Sequence, residues 1–141
     1  MRFGDLRRMA LDIEVVTGES GEFPSAARAA DRIVAVALAD STGFRYVVRG
    51  DRLDEPALLE ETSRMIRERD PDTIEGHNIF RFDLEYIEAR ARRHGVRLAW
   101  GRDGSELRGR PTRLSVAERT IAYRRYETAG RHIIDTWMLA Q

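Results

Sequence analysis

The sequence predicts a mixed α/β fold, a five-stranded sheet flanked by helices within one domain, and three observations carry that expectation. Two apolar, β-rich segments sit on either side of a turn signal, so the chain opens as an antiparallel meander. Later segments then alternate strand-like with helix-like patterns, which implies parallel pairing. The chain has 141 residues, 42% hydrophobic and 34% charged, a length that allows one core burying roughly 68% of the unfolded surface.

The elements follow in order. Met9 to Val16 (MALDIEVV) reads as a central strand ending in a Gly/Ser/Glu/Pro stretch, Gly18 to Ser25, that predicts a loop. Arg32 to Ala39 (RIVAVALA) and Phe44 to Arg49 (FRYVVR), separated by Asp40-Ser-Thr-Gly43, read as a hairpin. From Glu55 to Arg69 apolar positions recur at helical spacing, with Asp54 placed to cap and Pro56 tolerated in the first turn. Asp72 to Asn78 is strand-like, and Phe82 to His94 forms a helix closed by Gly95. Val96 to Trp100 lead into a Gly/Arg/Pro-rich loop, strands are expected around Thr120 to Thr128, and Arg131 to Asp135 enters a helix at Thr136. Together these outline a ribonuclease-H-like mixed sheet, with no internal repeat or interdomain linker.

Composition excludes several functions. No run approaches the roughly 18 consecutive apolar residues of a membrane span, and the N-terminus, MRFGDLRRMA, lacks a secretory apolar core. The expectation is a soluble, cytoplasmic protein without a membrane contact. There is no cysteine, so disulfides, cysteine-ligated zinc, iron–sulfur clusters and thiol catalysis are out, and any metal must take oxygen or histidine ligands.

All 24 basic residues are arginine, balanced by 24 acids. The absence of lysine removes Schiff-base and P-loop chemistry. Arginine's fork suits phosphate, although GC-rich coding produces the same bias. Eight arginines (102, 108, 110, 113, 119, 124, 125 and 131) stand against four acids between Arg102 and Arg131. That segment is either a face for a nucleic-acid backbone, with Arg124 and Arg125 as contacts, or a solvated hairpin.

Asp12 and Glu14 are separated by one residue on the first strand, so alternation sets both carboxylates on one face. Two like charges there call for a divalent cation unless that face is simply solvated. Asp83, at the start of a helix, either joins them or complements the helix dipole.

At this point the sequence resembles a known family. LDIE at 11–14 and DPDTIEGHNIFRFDLEYIEAR at 70–90, with GRHIID at 130–135, are similar to DnaQ-like 3′–5′ exonucleases, and most of all to the proofreading exonuclease domain of family B DNA polymerases. The second block carries most weight, through its Asp-Pro-Asp lead-in, Gly-x-Asn, Phe-Asp pair and Tyr-x-x-x-Arg tail. The resemblance implies that Asp12, Glu14 and Asp83 are catalytic and bind two ions, Mg²⁺ or Mn²⁺. It implies that Asn78 and Phe82 hold the 3′-terminal nucleotide of single-stranded DNA. Read without it, Asn78 closes a turn and Phe82 fills the core. RNA remains open as a substrate, because carboxylate–metal chemistry does not discriminate the sugar.

The sequence also departs from the family pattern. Val15 follows Glu14 where the family usually has threonine, Thr17 comes two places later, and His77 stands where tyrosine is common. The third motif, Tyr-x-x-x-Asp or His-x-x-x-x-Asp, is absent. The residues at that spacing are Gly50, Arg90, Glu127 and Gly130 after the tyrosines, and Phe82, Ala99 and Trp137 after the histidines. Asp135 precedes Thr136 where a helix N-cap belongs, and His94 and His132 have no partner histidine at ligand spacing. The resemblance therefore implies one exonuclease-like domain over 1–141 that lacks its C-terminal helices, weakly active alone and part of a larger polymerase- or nuclease-type protein. The alternative is a catalytically incomplete module that binds single strands or a partner protein.

Overall fold

The computed structural model describes residues 3–18 and 21–139; residues 19 and 20 of the loop expected at 18–25 lie outside it. Strands β1 (Arg8–Val15), β2 (Ile33–Asp40) and β3 (Arg45–Arg49) form the expected meander. It is followed by α1 (Glu55–Arg69), β4 (Thr73–Gly76), α2 (Leu84–His94), β5 (Arg108–Val116), β6 (Arg119–Glu127), β7 (His132–Asp135) and α3 (Thr136–Leu139). The five-stranded sheet runs β3-β2-β1-β4-β7, and β5 and β6 pair apart from it as a two-stranded ribbon. β1 is antiparallel to β2 and parallel to β4, and β4 is parallel to β7.

β1 is central, and its alternation divides it cleanly. Met9, Leu11 and Ile13 are buried among Leu58, Ile66, Ile74 and Ile87, while Asp12 and Glu14 are exposed on the opposite face. The helices hold as read. Asp54 accepts the Ala57 N–H at 2.9 Å, capping α1, and Gly95 closes α2 at φ 66°.

Three boundaries differ from the sequence reading. β4 ends at Gly76 because Asn78 is left-handed at φ 58°, which no extended strand tolerates. The segment before α2 is wound as a π turn, Ile79–Asp83, so the regular helix begins at Leu84 rather than Phe82. The Gly/Arg/Pro-rich loop becomes strand from Arg108 onward. Pro111, opposite Arg124, is tolerated there because a two-stranded ribbon has an open edge on each strand.

Candidate active site

The site is built where β4 stops short of β1. Gly76 lies against β1 so closely that a Cβ would sit 2.9 Å from the Leu11 carbonyl. Beyond it β1 runs on without β4, leaving the Ile13 N–H unpaired on that side. Asp83 fills the gap, its Oδ2 accepting the Ile13 N–H at 3.0 Å, and it is only 4% exposed. Asp83 makes no cap bond to its own helix. The carboxylate that sequence alone could assign to the helix dipole is thus turned onto the central strand.

There it meets Asp12. Burial, opposed by the bond from Ile13 and reinforced by the neighbouring Asp12 carboxylate, pushes the Asp83 carboxyl up to about 7. An acid pair held like this has too much negative charge for its surroundings, so it fits a divalent cation. Glu14 shares the strand face with Asp12 but is not drawn into the pair. Among the described residues no three Asp, Glu or His side chains are gathered to hold an ion. Two carboxylates are nonetheless a usual protein contribution for magnesium, which retains water and phosphate oxygens in its other positions. The face above Asp12 is open, a hollow of about 490 Å³ bordered by Ala10, Ala37, Val47, Glu75 and His77.

Asn78 and Phe82 flank the pair. The left-handed Asn78 does close the turn, as its residue type allows, yet its buried Oδ1 has no hydrogen-bond partner among the described residues. Phe82 is half-buried, its ring 5.6 Å from that of Tyr86, and it also lines a groove of about 300 Å³ with Pro24, Ala26, Arg81 and Glu85. It serves the core and faces solvent at once.

The two arginines diverge. Arg124 is committed internally, donating to the Gly109 carbonyl at 2.9 Å and lying 3.2 Å from Glu88 Oε1, which binds the ribbon to α2. Arg125 is exposed, with its guanidinium 5.9 Å from the Phe80 ring, on the side of the π turn.

Sequence reasoning passed over a second set of polar groups. Arg90 is 1% exposed and binds Glu55 Oε1 at 2.6 Å, while Glu55 Oε2 accepts the Ile33 N–H at 2.6 Å. His94, which has no partner histidine at ligand spacing in the sequence, lies 2.7 Å from Glu55 Oε1. Burial alone would push Glu55 up, but these donors hold its carboxyl below the usual range. Arg90 also donates to the Ala26, Arg28 and Ala29 carbonyls, and the Tyr86 hydroxyl donates to the Asp31 carbonyl. The Tyr-x-x-x-Arg spacing was the signal, because four residues place both side chains on one helix face. Both pin the loop between β1 and β2.

A five-stranded sheet of this order, with paired acids beside its central strand, defines the class: a mixed α/β domain with a carboxylate pair at the edge where β4 ends. The structure of the family B DNA polymerase from the hyperthermophilic archaeon Pyrobaculum calidifontis superposes with a TM-score of 0.75 at 28% identity, over 96% of this chain and 16% of that one. The sequence family described as the exonuclease domain of DNA polymerase family B matches residues 51–141, and the chain belongs to it. The match includes Asn78, Phe82, Asp83, Arg124, Arg125 and Asp135, while Asp12 and Glu14 precede it. A DNA polymerase of Pyrococcus glycovorans is 34% identical over 111 residues, which is 72% of this chain and 14% of that protein. One of Thermococcus kodakarensis is 32% identical over 111 residues, covering 6% of that protein. The chain thus spans a small part of these relatives. No described helix is long and apolar enough to cross a membrane.

Proposed function

We propose that this chain is the metal-dependent 3′–5′ exonuclease domain of a longer DNA polymerase, hydrolysing the terminal phosphodiester of single-stranded DNA. The observation that carries the reading is the Asp12–Asp83 pair, one carboxylate exposed and one buried and wanting a counter-charge. Asp12 and Asp83, with Glu14 two residues along the same face, would hold Mg²⁺ or Mn²⁺. Divalent ions bound there would supply an activated water and a counter-charge for the leaving oxygen. Such compensation would favour the ionised form of Asp83 at neutral pH, and the bond to the Ile13 N–H keeps the carboxylate aimed. The Asn78 side-chain oxygen is free to accept from the 3′-terminal sugar, Phe82 packs against the terminal base or sugar, and Arg125 meets a backbone phosphate beside Phe80. Arg124 supports the ribbon instead.

The test is 3′-end trimming of a 5′-labelled single strand with Mn²⁺. Slow shortening that Asp12→Ala and Asp83→Asn both abolish is expected. A second reading has its own observation, that no third ligand is gathered among the described residues and that residues 1–141 hold no Tyr-x-x-x-Asp: a catalytically incomplete module that only binds single strands or a partner protein. Binding without trimming favours it. Trimming of a ribo-oligonucleotide at an equal or greater rate would move the substrate class to RNA.

A further inference from the structure

Asp135 is 3% exposed, and its carboxylate spans two elements. Oδ1 accepts the Trp137 N–H at 2.9 Å and the Met138 N–H at 3.4 Å, which caps α3 as the sequence predicts. The same oxygen accepts the Asn78 N–H at 3.0 Å, and Oδ2 accepts the Phe80 N–H at 3.1 Å. A helix cap needs only the first two. The other two bonds cross from the end of β7 to the turn after β4, and they have no part in capping.

We propose that Asp135 is a positioning residue for the site: by binding the Asn78 and Phe80 N–H groups it fixes the turn that delivers Asp83 to Asp12 and leaves the Asn78 side-chain oxygen open to a ligand. The reasoning is one of connected geometry. Asn78 is left-handed, a conformation asparagine accepts more readily than other non-glycine residues but one that its neighbours must fix. The Asn78 carbonyl then accepts the Phe82 N–H at 3.0 Å, an i to i+4 bond at the entry to the π turn, in which the Ile79 carbonyl accepts the Leu84 N–H and which ends at Asp83. Its one extra residue per turn shifts Asp83 relative to a regular helix, and the carboxylate reaches the Ile13 N–H. The Asp135 carboxylate thus holds two backbone donors at the turn's entry, a bond type stronger than one between neutral groups. Gly76 pairs in register with Asp135, so strand pairing itself brings this carboxylate beneath the turn. The role in metal binding rests on the exonuclease reading; the role in placing Asp83 does not.

Asp135→Ser separates the two functions, because serine is a good N-cap but its single short hydroxyl cannot also span to Asn78 and Phe80. Asp135→Asn restores one acceptor at the turn. Amide hydrogen exchange by NMR, without metal, reads the placement of Asp83 through the Ile13 N–H, with the Ile66 N–H in α1 as a reference for overall unfolding. Asp135→Ser is expected to lower Ile13 protection at least about tenfold more than Ile66 protection, with Asp135→Asn between it and the unaltered chain. Parallel loss at the two amides, or none, overturns the proposal and leaves Asp135 a helix cap. In a second arm, Mn²⁺ binding followed by its electron paramagnetic resonance should weaken about 10–100-fold in Asp135→Ser, as for other groups that orient ligands. Undiminished Mn²⁺ affinity in folded Asp135→Ser overturns the metal-site role. If the unaltered chain and Asp12→Ala bind Mn²⁺ equally, the exonuclease reading fails instead, while Ile13 exchange still decides what Asp135 does.

Discussion

Asp83 should make the metal-free protein lose stability as pH rises. Its carboxyl has an ordinary value of 3.8 when the chain is unfolded and titrates at about 7 when folded. Between those pH values the folded state binds the proton that the unfolded state has released, so stability falls as pH increases. The contribution is fully present below 3.8 and gone above 7. At ~1.4 kcal/mol per pH unit the loss comes to ~4 kcal/mol, a large share of a small domain's stability. Asp31 works in the opposite sense. Backbone N–H groups of Gly18 and Ser25 hold its carboxyl down to about 2, so its support disappears only in stronger acid and leaves the upper window to Asp83. The assay is urea unfolding in EDTA from pH 4.5 to 8, followed by the fluorescence of buried Trp100, for the unaltered chain and for Asp83→Asn. Asparagine retains an oxygen for the Ile13 N–H and has no proton to lose. Asp83→Asn should therefore be the more stable of the two at pH 8 by several kcal/mol, and nearly equal at pH 4.5. Saturating Mn²⁺ should raise the stability of the unaltered chain at pH 8 and leave Asp83→Asn little changed. A difference between the two proteins that does not vary with pH would refute the reasoning.

Three further outcomes are expected. Arg90→Ala should cost about 3–5 kcal/mol in denaturant unfolding, because it strands the buried Glu55 carboxylate; Arg92→Ala, whose guanidinium is mostly exposed and 3.9 Å from Glu88, should change stability by less than about 0.5 kcal/mol. Arg125→Ala should weaken binding of a fluorescent single strand and reduce its salt dependence by about one ion, read by anisotropy, whereas Arg124→Ala should lower the unfolding midpoint and leave that salt slope unchanged. Gly76→Ala should destabilise the protein and reduce Mn²⁺ affinity together, since the added methyl meets the Leu11 carbonyl and the strand end carrying the turn must shift; unchanged Mn²⁺ binding would show that the close approach does not set the site.

Much of this molecule is legible in the sequence because local rules govern it. Strand alternation places Asp12 and Glu14 on one face opposite Met9, Leu11 and Ile13, because successive side chains of a strand point to opposite faces. Asp54 and Gly95 bound their helices through bonds to residues a few positions away. The family motif at 70–90 contains Asn78, Phe82 and Asp83. What the sequence by itself determined is thus the meander, the two main helices and the residue types of the site. Only the tertiary structure decided what those residues do with one another. Asp83 could not be told from a helix-dipole acid until β4 was seen to end early and expose the Ile13 N–H. The separate fates of adjacent Arg124 and Arg125 follow from a ribbon that presents one to α2 and the other to Phe80. Asp135 and the Glu55–Arg90–His94 cluster likewise depend on partners 35 or more positions away in the chain. Composition and spacing carry no record of such pairings, because long-range contacts are fixed by how sheet and helices pack and not by any local period.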